Sequence, residues 1–116
     1  MKFKGKYGYF SDDGREYIIT DPHTPRPWGN IISNGDYSMM VSQTGGGCSW
    51  RGNAGQNKIT RSFQDLIKDN WGKYIYIRDL DSGRFWSAAW KPVQSDYQSY
   101  VVRYGIGYSI FEDLSL

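Results

Sequence analysis

The chain has 116 residues, enough for one modest domain and too few for two independent cores. Its 39% hydrophobic and 22% charged content, with 14 glycines at no fixed period, excludes disordered and collagen-like chains. Fourteen Lys and Arg against 12 Asp and Glu leave a net charge of +2, and outside Lys2, Lys4 and Lys6 the basic residues are scattered, which argues against nucleic-acid binding.

The N-terminus lacks the apolar stretch of a signal peptide, and no apolar run exceeds about five residues. A cytoplasmic protein without a membrane partner is therefore expected. From the start, Tyr7 to Phe10 and Glu16 to Thr20 are β-prone runs around the turn cluster Ser11-Asp12-Asp13-Gly14-Arg15, which reads as a hairpin. Asp21 to Trp28 carries three prolines and reads as a stiff, extended connector, with Trp28 plugging it onto the sheet. Ile31-Ile32 and Tyr37 to Val41, around Ser33-Asn34-Gly35-Asp36, and then Gly45 to Trp50 supply two further strands, the second glycine-rich. Phe63, Leu66 and Ile67 have helical spacing after a Thr60 N-cap, so a short helix near residues 61–70 is the most that the pattern allows. A clear hairpin follows, Lys73 to Arg78 returning through Arg84 to Ser87, with Tyr74 and Tyr76 on one face and Ile75 and Ile77 on the other. Gln98 to Tyr104 and Gly107 to Phe111 close the chain around Gly105-Ile106. About eight short strands spaced roughly 8–12 residues apart predict an all-β, antiparallel β-sandwich.

Chemistry-bearing motifs are sparse. Cys48 and His23 are each the sole residue of their type, which excludes an internal disulfide, a cysteine-based zinc site and a His-rich metal cluster. Nothing in the spacing brings them together as a nucleophile pair. The acid pairs Asp12/Asp13 and Asp79/Asp81 fall in turns, where backbone capping explains them, and so no catalytic residue is assigned. Gly45-Gly46-Gly47 runs into Cys48-Ser49-Trp50 and lacks the Lys-Ser/Thr ending of a phosphate loop. The unusual feature is the 17% aromatic content, which suits both a pleated core and sugar stacking. Trp50, beside Arg51, Asn53 and Gln56, and Trp90, before Lys91-Pro92, are the candidate sugar platforms; the alternative for each is a place in the core.

Taken in order, Tyr7-Gly8-Tyr9-Phe10, Thr24-Pro25-Arg26-Pro27-Trp28-Gly29-Asn30, Ser42 to Trp50, Lys58-Ile59-Thr60-Arg61, Tyr74 to Asp79, and Phe85-Trp86-Ser87 with Trp90-Lys91-Pro92 resemble glycoside hydrolase family 94, formerly glycosyltransferase family 36. The likeness covers most of residues 7–92 and continues through Tyr104 to Tyr108, at the start of that family's N-terminal β-sandwich domain. Cys48 departs from an aromatic in many relatives, and Ser49 to Asn53 with Lys58-Ile59-Thr60 looks closer to the oligoglucan and β-1,2-glucan members than to cellobiose phosphorylases.

The resemblance implies a single β-sandwich domain over residues 1–116, part of a larger supersandwich, followed in the parent enzyme by a catalytic (α/α)6 barrel. It implies an inverting phosphorylase that cleaves β-linked gluco-oligosaccharides, with inorganic phosphate as co-substrate and no cofactor or metal, to α-glucose 1-phosphate. An aspartate of the barrel donates the proton and phosphate is the nucleophile. The chain itself is then a non-catalytic scaffold that frames substrate, packs on its own barrel and forms a homodimer. The rival reading is a stand-alone carbohydrate-binding module using Trp50 and Trp90; a third is an interaction domain without a ligand.

Overall fold

The structure, a computed structural model, describes residues 4–53, 57–60 and 72–115. Among them are nine strands and no helix: β1 (Gly8–Phe10), β2 (Tyr17–Ile19), β3 (Gly29–Ser33), β4 (Tyr37–Ser42), β5 (Gly47–Arg51), β6 (Tyr76–Arg78), β7 (Phe85–Ser87), β8 (Tyr97–Gly105) and β9 (Tyr108–Ser115). The expected helix near residues 61–70 lies outside the described residues, as do Gln56 and Trp71. Every pairing is antiparallel, in sheets ordered β1-β2-β8-β9, β3-β4-β5 and β6-β7. The all-β expectation is met, in open sheets.

Local chemistry explains the turns. Asp13 Oδ1 accepts from the Ser11 hydroxyl at 2.8 Å and the Arg15 N–H at 3.0 Å, closing β1 onto β2 while Gly14 takes a φ of 72°. Asp79 does the same for β6-β7, accepting from the Asp81 N–H and the Ser82 hydroxyl. These contacts hold both carboxyls below their usual range, through the Arg15 N–H first for Asp13 and the Ser82 hydroxyl first for Asp79. Between residues 29 and 51 the expected two strands are three. Asn34 Oδ1 accepts from the N–H groups of Asp36 and Tyr37, and Gly35 has a φ of 96°, so the chain reverses fully and β3 separates from β4.

The core lies on the inner face of the four-stranded sheet. Ile19, Val102 and Tyr100 are buried there, and Tyr17, Trp28, Trp90, Tyr97, Tyr104 and Phe111 pack around them. Ile19 and Val102 align across β2 and β8, and Val102 aligns with Phe111 across β8 and β9, so one row of apolar side chains crosses three strands. Each fully buried aliphatic side chain contributes about 1.5–3 kcal/mol. Polar links then fasten the three-stranded sheet on. Tyr104 Oη donates to the Trp28 carbonyl, and the Asn30 amide donates to the carbonyls of Gly105 (3.0 Å) and Tyr108 (2.9 Å). Trp28 plugs the connector as expected, in edge contact with the rings of Tyr7 and Tyr17. The result is a slab of 43 × 43 × 24 Å with a radius of gyration of 15.0 Å, wider than the ~13 Å of a closed domain of this length.

Candidate functional site

Three segments converge on one edge of this core: the connector after β2, the glycine-rich turn between β4 and β5, and the residues after β7. Gln43 is the hub. Its amide nitrogen donates to the Pro22 carbonyl at 3.0 Å and to Thr24 Oγ1 at 2.6 Å, and its amide oxygen accepts from the Trp28 N–H at 2.8 Å. A buried amide with three partners costs little to desolvate and fixes the connector's path. Tyr100 extends the seam, donating through Oη to the Gln43 carbonyl at 2.7 Å and accepting from the Trp90 N–H at 3.0 Å. Burial pushes its phenol well above the ordinary tyrosine range, so it stays neutral and can donate. The Lys91 N–H, donating to the Thr44 carbonyl at 2.9 Å, completes the stitching.

The glycine run serves this seam. Gly45 sits at φ 91°, and a Cβ there would lie 2.4 Å from the Ala89 Cβ; a Cβ on Gly47 would lie 1.9 Å from the Met40 carbonyl oxygen. These glycines are therefore required for close approach of backbone and side chain, which accounts for the run without a phosphate.

Outside the seam lies a cleft of roughly 260 Å³ whose walls include His23, Thr24, Arg26, Trp90, Lys91 and Gln94. Asp21 Oδ1 accepts from the His23 N–H and lies 2.8 Å from His23 Nδ1, which turns the imidazole toward Trp90, at 4.6 Å between ring centroids and 64° between planes. Partial burial alone would raise the Asp21 carboxyl, but the His23 backbone and ring contacts outweigh it and leave the carboxyl below its usual range.

The four candidate sugar-contacting residues separate into two places. Trp90 stands at the cleft, half-buried and packed on the core. Trp50 is half-buried on β5, opposite Ser38 and bridged to Lys58. Arg51 beside it is exposed and pairs with Asp36 at 3.1 Å, and the Asn53 N–H donates to the Arg51 carbonyl at 2.9 Å. The half-buried Trp50 and the exposed Arg51 and Asn53 thus lie together at one strand end, while Trp90 lines the separate cleft. Sequence reasoning singled out neither Gln43 nor Tyr100; a polar residue after a strand and a tyrosine among ten offer no distinguishing signal. Cys48, on β5, and His23 line different cavities. Among the described residues no group of three His, Cys, Asp or Glu side chains could hold a metal ion, and no helix is long and apolar enough to cross a membrane.

Comparison with known proteins agrees with this architecture. The family described as Glycosyl hydrolase 94, supersandwich domain, matches residues 15–115. The chain belongs to that family. Curated relatives of this supersandwich chain include N,N'-diacetylchitobiose phosphorylases of Vibrio furnissii, 41% identical over 91% of the chain, and Vibrio proteolyticus, 39% identical over 92%. A 3-O-beta-D-glucopyranosyl-beta-D-glucuronide phosphorylase of Paenibacillus borealis is 35% identical over 92%. The chain spans only 14%, 14% and 13% of those proteins' own lengths.

Proposed function

We propose that this supersandwich chain is the first part of the N-terminal domain of an inverting β-glucoside phosphorylase, framing substrate for a catalytic barrel carried elsewhere in the same polypeptide. The parent enzyme cleaves β-linked gluco-oligosaccharides with inorganic phosphate and releases α-glucose 1-phosphate; the chain contributes no group to the chemistry. The observation that carries this reading is the match across residues 15–115 to relatives named as phosphorylases, of which the chain covers about one seventh. The architecture supports it from the other side. The seam is knitted by the hydrogen bonds of Gln43, Tyr100 and the Lys91 N–H, whereas Ile75, Leu80 and Phe85 near β6-β7 and Ile110 and Leu114 on β9 leave apolar surface open for a barrel or a second subunit of a cytoplasmic homodimer. Trp50, Arg51 and Asn53, grouped at one strand end, are the side chains assigned to the oligosaccharide there, and Trp90 is a separate contact.

The test is an assay of the native gene product that carries this chain. It is incubated with a panel of β-linked disaccharides and oligosaccharides, N,N'-diacetylchitobiose among them, with and without inorganic phosphate. Phosphate-dependent appearance of a sugar 1-phosphate is expected, and none from residues 1–116 alone. Cleavage that proceeds equally without phosphate would mark a hydrolase and overturn the phosphorylase reading, and saturable oligosaccharide binding without cleavage by a native product no longer than this chain would favour the carbohydrate-binding module instead.

A further inference from the structure

The four-stranded sheet stops at β9 with its edge unfinished. Among the described residues β9 pairs with β8 on one side and with no strand on the other. At eight residues it is longer than every other edge strand, the rest running three to five residues. It carries none of the lysine or proline that keeps an edge from pairing. The turn before it fixes which groups are open. Gly105 aligns with Tyr108 across two residues, so that pair exchanges both of its bonds, and the alternation along the ladder leaves the N–H and C=O groups of Ser109, Phe111 and Asp113 pointing away from β8. The side chains of these residues share the core face. Phe111 ends the apolar row that begins at Ile19, and the Asp113 carboxylate has a buried Oδ1 without a hydrogen-bond partner. Ser109 Oγ accepts from the Asn30 amide at 3.0 Å, which leaves its own hydrogen to donate.

We propose that β9 pairs with β9 of a second copy of this chain, antiparallel about a two-fold axis at Phe111, joining the two four-stranded sheets edge to edge. In this register every residue with open backbone groups meets another such residue. Phe111 meets its own copy and carries the apolar row across the joint, while Ser109 meets Asp113 of the second copy, a hydroxyl donor against the carboxylate that lacks one. On the other face the exposed Tyr108 meets Leu114, and Ile110 meets Glu112, whose charge is offset by Arg103 at 3.7 Å. Other registers serve the edge less well. A slip of one residue sets open backbone groups against groups already paired to β8 and turns the faces over. Centring on Asp113 opposes two carboxylates, and centring on Ser109 leaves Asp113 and Leu114 beyond the overlap. The pairing deepens the homodimer of the proposed function, resting on that part of the reading, and is independent of phosphorolysis.

Light scattering over a concentration series, on the 116-residue chain and on the native gene product, tests it. Twice the monomer mass is expected for both. Asp113→Pro removes an outward N–H and no bond to β8, and should weaken association about tenfold or more. A second experiment reads the register without relying on that variant. In a Cys48→Ala background of the 116-residue chain, Tyr108→Cys combined with Leu114→Cys should form a disulfide-linked dimer on oxidation, because facing positions lie within disulfide reach, and neither substitution alone should do so. A monomer at every concentration, a mass unchanged in Asp113→Pro, or single variants that crosslink as readily as the pair would overturn the proposal. So would a longer native product that is monomeric and protected from amide exchange at Phe111, since a strand of its own polypeptide would then hold the edge. Phosphorolysis by the same native product separates the two readings: dimers without activity remove the enzyme and leave the pairing, and activity in a monomer does the reverse.

Discussion

The seam around Gln43 and the β6-β7 hairpin use similar residues to opposite effect. In the seam, Tyr100 is buried and Trp90 packs on the core, with the Tyr100 hydroxyl satisfied between the Gln43 carbonyl and the Trp90 backbone N–H. In the hairpin, Ile75 is 71% and Leu80 88% exposed, with Tyr76, Ile77 and Phe85 open as well, although the apolar content of this stretch is no lower. A two-stranded sheet has too little area to bury either face on its own. Burial in this chain therefore follows from how many strands meet and whether polar groups are satisfied, more than from hydrophobicity alone.

Four substitutions sharpen the contrast, each read as the change in urea-unfolding free energy. Ile19→Ala empties a fully buried position in the row that crosses β2, β8 and β9, and should cost about 2–5 kcal/mol. Tyr100→Phe keeps the ring but leaves the buried Gln43 carbonyl without its donor and the part-buried Trp90 N–H without its acceptor, and should cost about 1–3 kcal/mol; a loss near zero would mean that the seam is not held by this hydroxyl. Asp113→Asn should act in the other direction. Burial raises the Asp113 carboxyl above its ordinary pKa, and its Oδ1 is buried without a hydrogen-bond partner. Ionising it therefore costs stability once the pH exceeds the unfolded value of 3.8, so the variant should gain up to about 1 kcal/mol at neutral pH and nothing below that value. Leu80→Ser in the hairpin turn should stay within about 0.5 kcal/mol. A large loss there would show that Leu80 is covered in solution.

Most of the architecture was legible in the sequence because period-2 runs and turn chemistry are local signals. Asp13, Asp79 and Gly14 close their hairpins as their types predict, and the three-proline connector carries neither helix nor strand, bending at Pro22, Pro25 and Arg26. The split of β3 from β4 depended on how completely Asn34 and Gly35 reverse the chain, which the composition of that stretch left open. The seam was not legible at all. Gln43 bonds across 15 to 21 residues and Tyr100 across 57, and no periodicity encodes such partners. Trp90 was singled out as a polar-flanked tryptophan, whereas its environment is set by His23 and the core row, far away in sequence.

On this physics residues 1–116 build the seam without help, while the exposed hairpin waits on a surface to cover it. Amide hydrogen exchange of the isolated 116-residue chain tests this most directly. The account predicts strong protection of the Trp90, Lys91 and Val102 amides and rapid exchange at Tyr76, Ile77 and Arg78. Equal protection in both regions, or rapid exchange throughout, would contradict it.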